Sequence, residues 1–305
     1  MIKEKITIGA GTDYPMNGIL TLPDDLSAPM PAAVLVHGSG PSDMDEKIGG
    51  LTPFKDIAEG LAAHGIATIR YDKRTFAHGR KLLKLKDVTV WSETIEDALL
   101  ATEILKSDSR IDKEKVFIIG HSMGAMLAPR IDAEGGNYRG LILMAGSPRK
   151  LEEILIDQNN VIMESSSGLI KFIISKQINK LSASFENLYD ITDEEAKQTK
   201  MGGGITLYYF KEMGEHPASM YLNNLDKPVL IMQGEKDFQA TVEKDFNAYK
   251  ELLKDKTNVT FKLYETLNHA FVQSIYGDIT KANKEYQKER HITEEVICDI
   301  ANFIK

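Results

Sequence analysis

Gly120-His121-Ser122-Met123-Gly124 stands where a continuously apolar run, Val116 to Gly120, gives way to a helical pattern. A G-x-S-x-G pattern arises by chance about 0.09 times in a chain of this composition, so its surroundings must carry the argument. A strand turning sharply into a helix needs small residues two before and two after the turn, because a side chain there would collide with neighbouring backbone. Such a turn lifts the serine oxygen above the sheet in a backbone conformation strained by roughly 1–3 kcal/mol. It also sets that oxygen at a positive helix N-terminus, where the Met123 N–H can donate to an oxyanion. The competing reading is an ordinary glycine-rich turn.

A serine hydroxyl needs an adjacent base to act as a nucleophile, and seven histidines compete for that role. His37 ends a strand beside glycines and reads as a loop support. His121 lies inside the turn and points away from Ser122 by strand alternation. His64 and His78 fall at a helix end and in a polar loop, His216 precedes Pro217, and His291 is a solvated linker residue before the final helix. His269, in Leu267-Asn268-His269-Ala270-Phe271, directly follows the last apolar strand and so shares a sheet rim with Ser122; the alternative is a satisfied loop histidine.

A base needs a carboxylate to fix its tautomer. Asp237 follows the strand Val229 to Gln233 in Gly234-Glu235-Lys236-Asp237, with Glu235 and Asp245 as rivals and a helix cap or surface charge as the plain alternative. The loop His37-Gly38-Ser39-Gly40-Pro41 can bring a second oxyanion donor, the Ser39 N–H. As a phosphate cradle it lacks G-x-x-x-x-G-K-[ST], and Pro41 removes a donor. No pair among His37, His121, Asp43 and Asp45 has metal-ligand spacing on a helix, so no metal site is expected.

Short apolar runs must hold these loops. Ile2 to Ile8 and Gly18 to Leu22 read as opening strands, and Ala32 to His37, Ile66 to Tyr71, Val116 to Gly120, Gly140 to Ala145, Val229 to Gln233 and Val259 to Tyr264 as buried ones. Between them lie helical stripes. Thr52-Pro53 opens one carrying Phe54, Ile57, Ala58, Leu61 and Ala62; Ser92 caps a second carrying Ile95, Ala98, Leu99, Thr102 and Leu105; Thr293 opens the last, with Val296, Ile297, Ile300, Ala301 and Ile304 inward. Cys298 reads as core on that last helix. The alternation predicts an α/β fold with an eight-stranded, mostly parallel sheet, helices on both faces and reactive groups past the carboxyl ends of strands. About eighty residues separate Ala145 from Val229, far more than one crossover needs. Residues 149–225 read as an inserted helical cap with segments Leu151 to Met163 and Leu169 to Leu181 and the flexible stretch Gly202-Gly203-Gly204. Residues 1–148 and 226–305 then form the core.

Composition bounds the rest. The 305 residues are 42% hydrophobic and 27% charged, enough for a sizeable core without wholesale disorder, and no run approaches the length of a membrane span. Met1-Ile2-Lys3-Glu4-Lys5-Ile6 does not read as a secretory signal. One cysteine allows neither an internal disulfide nor a thiolate metal site, and the expected compartment is the reducing cytoplasm. A formal charge of -8 argues against nucleic acid or anionic membrane as partners.

Together these motifs resemble the α/β-hydrolase esterases of the dienelactone-hydrolase-like and acyl-thioester-hydrolase-like superfamily, and in particular the esterase-D-like bacterial carboxylesterases with a small helical cap. The likeness is carried by His37-Gly38-Ser39-Gly40-Pro41, Pro53-Phe54-Lys55-Asp56, Tyr71-Asp72-Lys73-Arg74 and Gly120-His121-Ser122-Met123-Gly124. Ala128-Pro129-Arg130, Gln233-Gly234-Glu235-Lys236-Asp237 and Leu267-Asn268-His269 complete it. It covers most of the chain and is weakest in the cap. It implies that Ser122, Asp237 and His269 are nucleophile, acid and base, with Ser39 and Met123 as oxyanion donors. Ala125 departs from the pattern, where relatives often carry glycine. The expected activity is a serine carboxylesterase for short, medium or small aromatic acyl esters, without metal or organic cofactor, its partner a small-molecule ester, acting alone or as a homodimer.

Two alternatives share the triad, an acyl-thioesterase and a carbohydrate-ester deacetylase; a small peptidase would bring a larger accessory domain. A third belongs to another class, a non-catalytic binding protein on the same fold. For the substrate pocket the candidates are Tyr208 and Tyr209, among the apolar cap residues Ile205, Leu207, Phe210, Met213 and Met220. Most of these would simply glue the cap to the sheet. Tyr71-Asp72-Lys73-Arg74 reads as a structural loop with an internal ion pair.

Overall fold

The computed structural model describes residues 1–201 and 204–305, so Gly202 and Gly203 of the expected flexible stretch lie outside the described residues. Eight strands form one sheet: β1 (Ile2–Ile8), β2 (Met16–Leu22), β3 (Met30–Val36), β4 (Ala67–Tyr71), β5 (Ile111–His121), β6 (Leu141–Met144), β7 (Val229–Gly234) and β8 (Val259–Tyr264). Their order across the sheet is β1-β2-β4-β3-β5-β6-β7-β8. The β1–β2 and β2–β4 pairs are antiparallel and the other five parallel, as the continuous apolar runs predict.

Both faces are covered because alternate residues of the central strands are apolar in both directions. Ala32, Val34 and Val36 of β3 join one buried cluster, with α3 (Glu96–Ser107) and α4 (Met123–Ile131) over it. Ala33 and Leu35 join the opposite cluster, beneath α1 (Pro53–Ala63) and α12 (Glu294–Ile304). The stripes Phe54, Ile57, Ala58 and Leu61, and Val296, Ile297, Ile300, Ala301 and Ile304, are the buried faces of those two helices. The remaining core helices are α2 (Arg74–Leu82), α10 (Asn247–Leu252) and α11 (Ala282–Glu285). The interval between β6 and β7 is helical throughout most of its length: α5 (Leu151–Glu164), α6 (Gly168–Glu186), α7 (Asp193–Gln198), α8 (Leu207–Glu215) and α9 (Ala218–Leu222). Among the described residues no helix is long and apolar enough to cross a membrane.

Three local expectations are corrected. Ser92 is not a cap: a wide helical turn already begins at Trp91, and the Ser92 hydroxyl donates back to the Thr89 carbonyl. Tyr71-Asp72-Lys73-Arg74 carries no internal ion pair. Arg74 opens α2 and pairs with Glu96 and Asp97 of α3, Lys73 reaches Glu93, and Asp72 accepts the Met44 N–H. Cys298 is half-buried rather than core, with its thiol 3.6 Å from Glu294 and 4.0 Å from His64.

At the Ser122 elbow backbone packs directly on backbone. Ser122 has φ 54° and ψ −118°. A Cβ at Gly120 would lie 2.3 Å from the Gly124 carbonyl oxygen, and one at Gly124 would lie 2.1 Å from that of Val36. Both contacts are with backbone, which cannot swing aside. Gly124→Ala is therefore expected to cost about 3 kcal/mol or more through overpacking, a drop in Tm of several degrees. Thermal unfolding monitored by circular dichroism checks it, and a Tm unchanged within one degree or so would contradict the close approach.

Candidate functional site

Ser122 directly follows β5, its N–H still donating to the Met144 carbonyl of β6 at 2.8 Å while its carbonyl accepts the Ala125 N–H of α4. The residue thus belongs to strand and helix at once, which fixes its direction. His269 lies in the loop after β8, and its Nδ1 is 2.7 Å from Asp237 Oδ2. Asp237 sits past the end of β7 and is saturated with donors: Gln233 Nε2 at 2.8 Å on Oδ2, and the Gln239 and Ala240 N–H groups at 2.7 and 3.0 Å on Oδ1. Four partners on one carboxyl leave it no freedom to turn away from the ring. No hydrogen bond joins Ser122 Oγ to His269 among the described residues; such pairs commonly tighten only with substrate in place.

The rivals are elsewhere. Glu235 is exposed and pairs with Lys236. Asp245 is buried, but it accepts the Ser147 hydroxyl and the Thr241 N–H, each at 2.7 Å. His37 supports its loop through Asp43, as expected, with Nε2 3.0 Å from that carbonyl. Burial pushes its imidazole down to about 4, against the raising influence of Glu46.

Two cavities meet at Ser122 and His269. The first, about 110 Å³, is walled by Met123 and Met126 of α4 and roofed by Leu151, Ile154 and Leu155 of α5. The second, about 260 Å³, is more polar, bordered by Ser42, Glu46, Lys47, Gln239 and Tyr286. Ser39 lines both. Tyr208 and Tyr209 line neither: the Tyr209 hydroxyl is turned to Glu93, and Tyr208 lies under Lys197. The cap residues that border the serine come from α5 instead, which the sequence showed as a helical segment without its direction. Ala125, the departure from the esterase pattern, sets its methyl where a side chain at position 146 would stand, 2.6 Å away, and Gly146 leaves it room.

A second buried pair adjoins the first. His121 Nδ1 approaches Glu46 Oε2 to 3.0 Å, an ion pair buried on both sides. His121 Nε2 is 2.9 Å from the His269 carbonyl, and Glu46 Oε1 accepts the Gly38 N–H at 2.8 Å. Burial opposes ionisation of both residues, yet each holds the other charged: His121 is raised above its ordinary value and Glu46 lowered below its own. Sequence reasoning missed Glu46, a non-glycine residue with φ 52° in an irregular loop, for which no pattern stood out.

Among the described residues one group has ligand-type atoms clustered closely enough for a metal ion: His64, Glu294 and Cys298, between the end of α1 and the start of α12. It shares no residue with either cavity.

The mostly parallel eight-stranded sheet, with a serine on a strained elbow and a histidine–aspartate pair on the same rim, defines the α/β-hydrolase class. The chain belongs to the serine aminopeptidase S33 family, whose model matches residues 33–273. Esterase EstD of Thermotoga maritima is 36% identical over 295 residues, covering 96% of this chain, which spans 66% of that relative's length. Among solved structures, Est1E from Butyrivibrio proteoclasticus superposes with a TM-score of 0.56 at 14% identity, covering 97% of this chain and 99% of that one. A Pyrococcus furiosus esterase gives 0.58 at 14% identity, covering 99% and 90%. At such identities the superpositions speak for the fold alone.

The His121–Glu46 pair makes a pH-dependent contribution to stability. A raised histidine stabilises fully below its unfolded value of 6.5 and loses that effect as pH rises through the folded value; a lowered glutamate stabilises fully above 4.5 and loses it as pH falls. The Tm difference between wild type and His121→Gln is therefore expected to be largest between about pH 4.5 and 6.5 and to shrink on either side. A difference that grows steadily from pH 6 to 9 would contradict it.

Proposed function

We propose that this protein is a serine carboxylesterase in which Ser122 is the nucleophile, His269 the general base and then acid, and Asp237 the group that orients His269. The observation that carries the reading is the 2.7 Å Asp237–His269 contact on the rim where strained Ser122 opens two cavities. With Nδ1 bonded to Asp237, the other ring nitrogen is free to take the Ser122 proton. Attack of Oγ on the ester carbonyl gives a tetrahedral oxyanion, which accepts hydrogen bonds from the N–H groups of Ser39 and Met123. His269 returns the proton to the departing alcohol, water attacks the acyl-enzyme with His269 as base, and the acid is released. The esterase name of the 36% identical relative favours this chemistry. No step calls on a metal or organic cofactor.

The two cavities suggest how the ester is divided. The smaller, apolar one suits a short acyl chain, and the larger, more polar one an alcohol with hydrogen-bonding groups. Residues 149–225 then act as a cap, since α5 closes the acyl side.

Ser122→Ala is expected to lower kcat on p-nitrophenyl butyrate by about 10⁴-fold or more without loss of folding, and Asp237→Asn to depress it far more than Glu235→Gln. Equal turnover in Ser122→Ala would sink the assignment. Butyrate should be preferred to octanoate, and Leu155→Ala should narrow that preference by lengthening the cavity. An octanoate preference in the wild type would reverse the acyl and alcohol sides.

A further inference from the structure

Lys73 follows β4 and is 1% exposed, one of the most deeply buried charged side chains in the protein. Its ammonium donates to the Gly38 carbonyl at 2.9 Å and pairs with Glu93 at 3.1 Å. Gly38 precedes Ser39, so that carbonyl belongs to the very peptide unit whose N–H is the Ser39 donor. In a trans peptide C=O and N–H point in opposite directions from one plane. Holding the carbonyl toward Lys73 therefore aims the N–H the other way. The preceding peptide is held as well, because the Gly38 N–H donates to buried Glu46 at 2.8 Å. Space is tight at this point: a Cβ on Gly38 would stand 3.1 Å from that of Ser122.

We infer that Lys73 is a positioning residue for the oxyanion site: its bond to the Gly38 carbonyl fixes the 38–39 peptide so that the Ser39 N–H faces the developing oxyanion. A cation on the carbonyl also polarises the amide and strengthens its N–H as a donor. Glu93 holds the ammonium in place, and the Tyr209 hydroxyl of α8 donates to Glu93 while lying 3.5 Å from the Met123 sulfur. This gives Tyr209 a task different from touching substrate. It ties helix α8 to the ion pair behind the oxyanion peptide.

The inference rests on the Ser39 assignment above, so the test begins with wild type and Ser122→Ala on p-nitrophenyl butyrate, which judge the esterase reading separately. Lys73→Met removes the cation but leaves Glu93 buried and unpaired. The double variant Lys73→Met/Glu93→Gln removes both charges and isolates the lost bond to Gly38. Both variants are expected to lose about 10- to 100-fold in kcat, less than deletion of a whole oxyanion donor, with KM changed little. A trifluoromethyl ketone, whose hemiketal anion with Ser122 mimics the tetrahedral state, should weaken by the same factor. Recovery of kcat to within twofold of wild type in the double variant would assign the damage to orphaned Glu93 and overturn the inference. So would a loss confined to KM, unchanged affinity for the ketone, or a double variant that does not fold, since Lys73 would then hold the fold rather than the peptide.

Discussion

The organisation of the site depends on how closely backbone approaches backbone at residues 120–124. Gly124 leaves no gap to the Val36 carbonyl and Gly120 none to that of Gly124, so β5, α4 and the end of β3 are fixed against each other without intervening side chains. That contact forces Ser122 into a positive φ, which an isolated chain would avoid, and costs on the order of 1–3 kcal/mol. The cost is carried by the parallel ladder on either side of β5 and by the clusters above and below it. The same approach places the loop after β3 close to the serine, where a Cβ on Gly38 would stand 3.1 Å from that of Ser122.

Around this frame the charges are buried in pairs, and each pair touches backbone of a loop at the candidate site. Asp237 holds the His269 ring, His121 reaches the His269 carbonyl, Glu46 takes the Gly38 N–H, and Lys73 takes the Gly38 carbonyl. Buried ion pairs are poor sources of net stability, because desolvation offsets most of their attraction. Their value lies in direction: a loop whose two successive peptides are each held by a buried charged side chain has few orientations left. Polar groups fixed before substrate arrives need no reorganisation when charge develops, which is where electrostatic catalysis gains most.

The strands, the chain order of Ser122, Asp237 and His269 and the glycine loop were legible because each depends on local pattern: apolar runs, small residues beside a turn, and loops at strand ends. Long-range pairing was not. Tyr71-Asp72-Lys73-Arg74 invites pairing within itself, but its charges find Met44, Glu93, Glu96 and Asp97, contacts that exist only once segments distant in sequence are assembled. Tyr209 was legible as a cap aromatic, and burial among polar partners, rather than its type, decided that it faces Glu93 instead of the serine. The segment Leu151 to Met163 read as a helix without showing which surface it would cover, and its Leu151, Ile154 and Leu155 border the smaller cavity.

The central claim, that Ser122 carries the acyl group, is tested most directly by rapid acid quench with p-nitrophenyl butyrate followed by peptide mass mapping. The account predicts a single butyryl addition on the peptide containing Ser122, appearing in the first turnover and decaying as substrate is exhausted. A butyryl group on another residue, or steady ester turnover with no acylated peptide when p-nitrophenol is released in a burst, would contradict it.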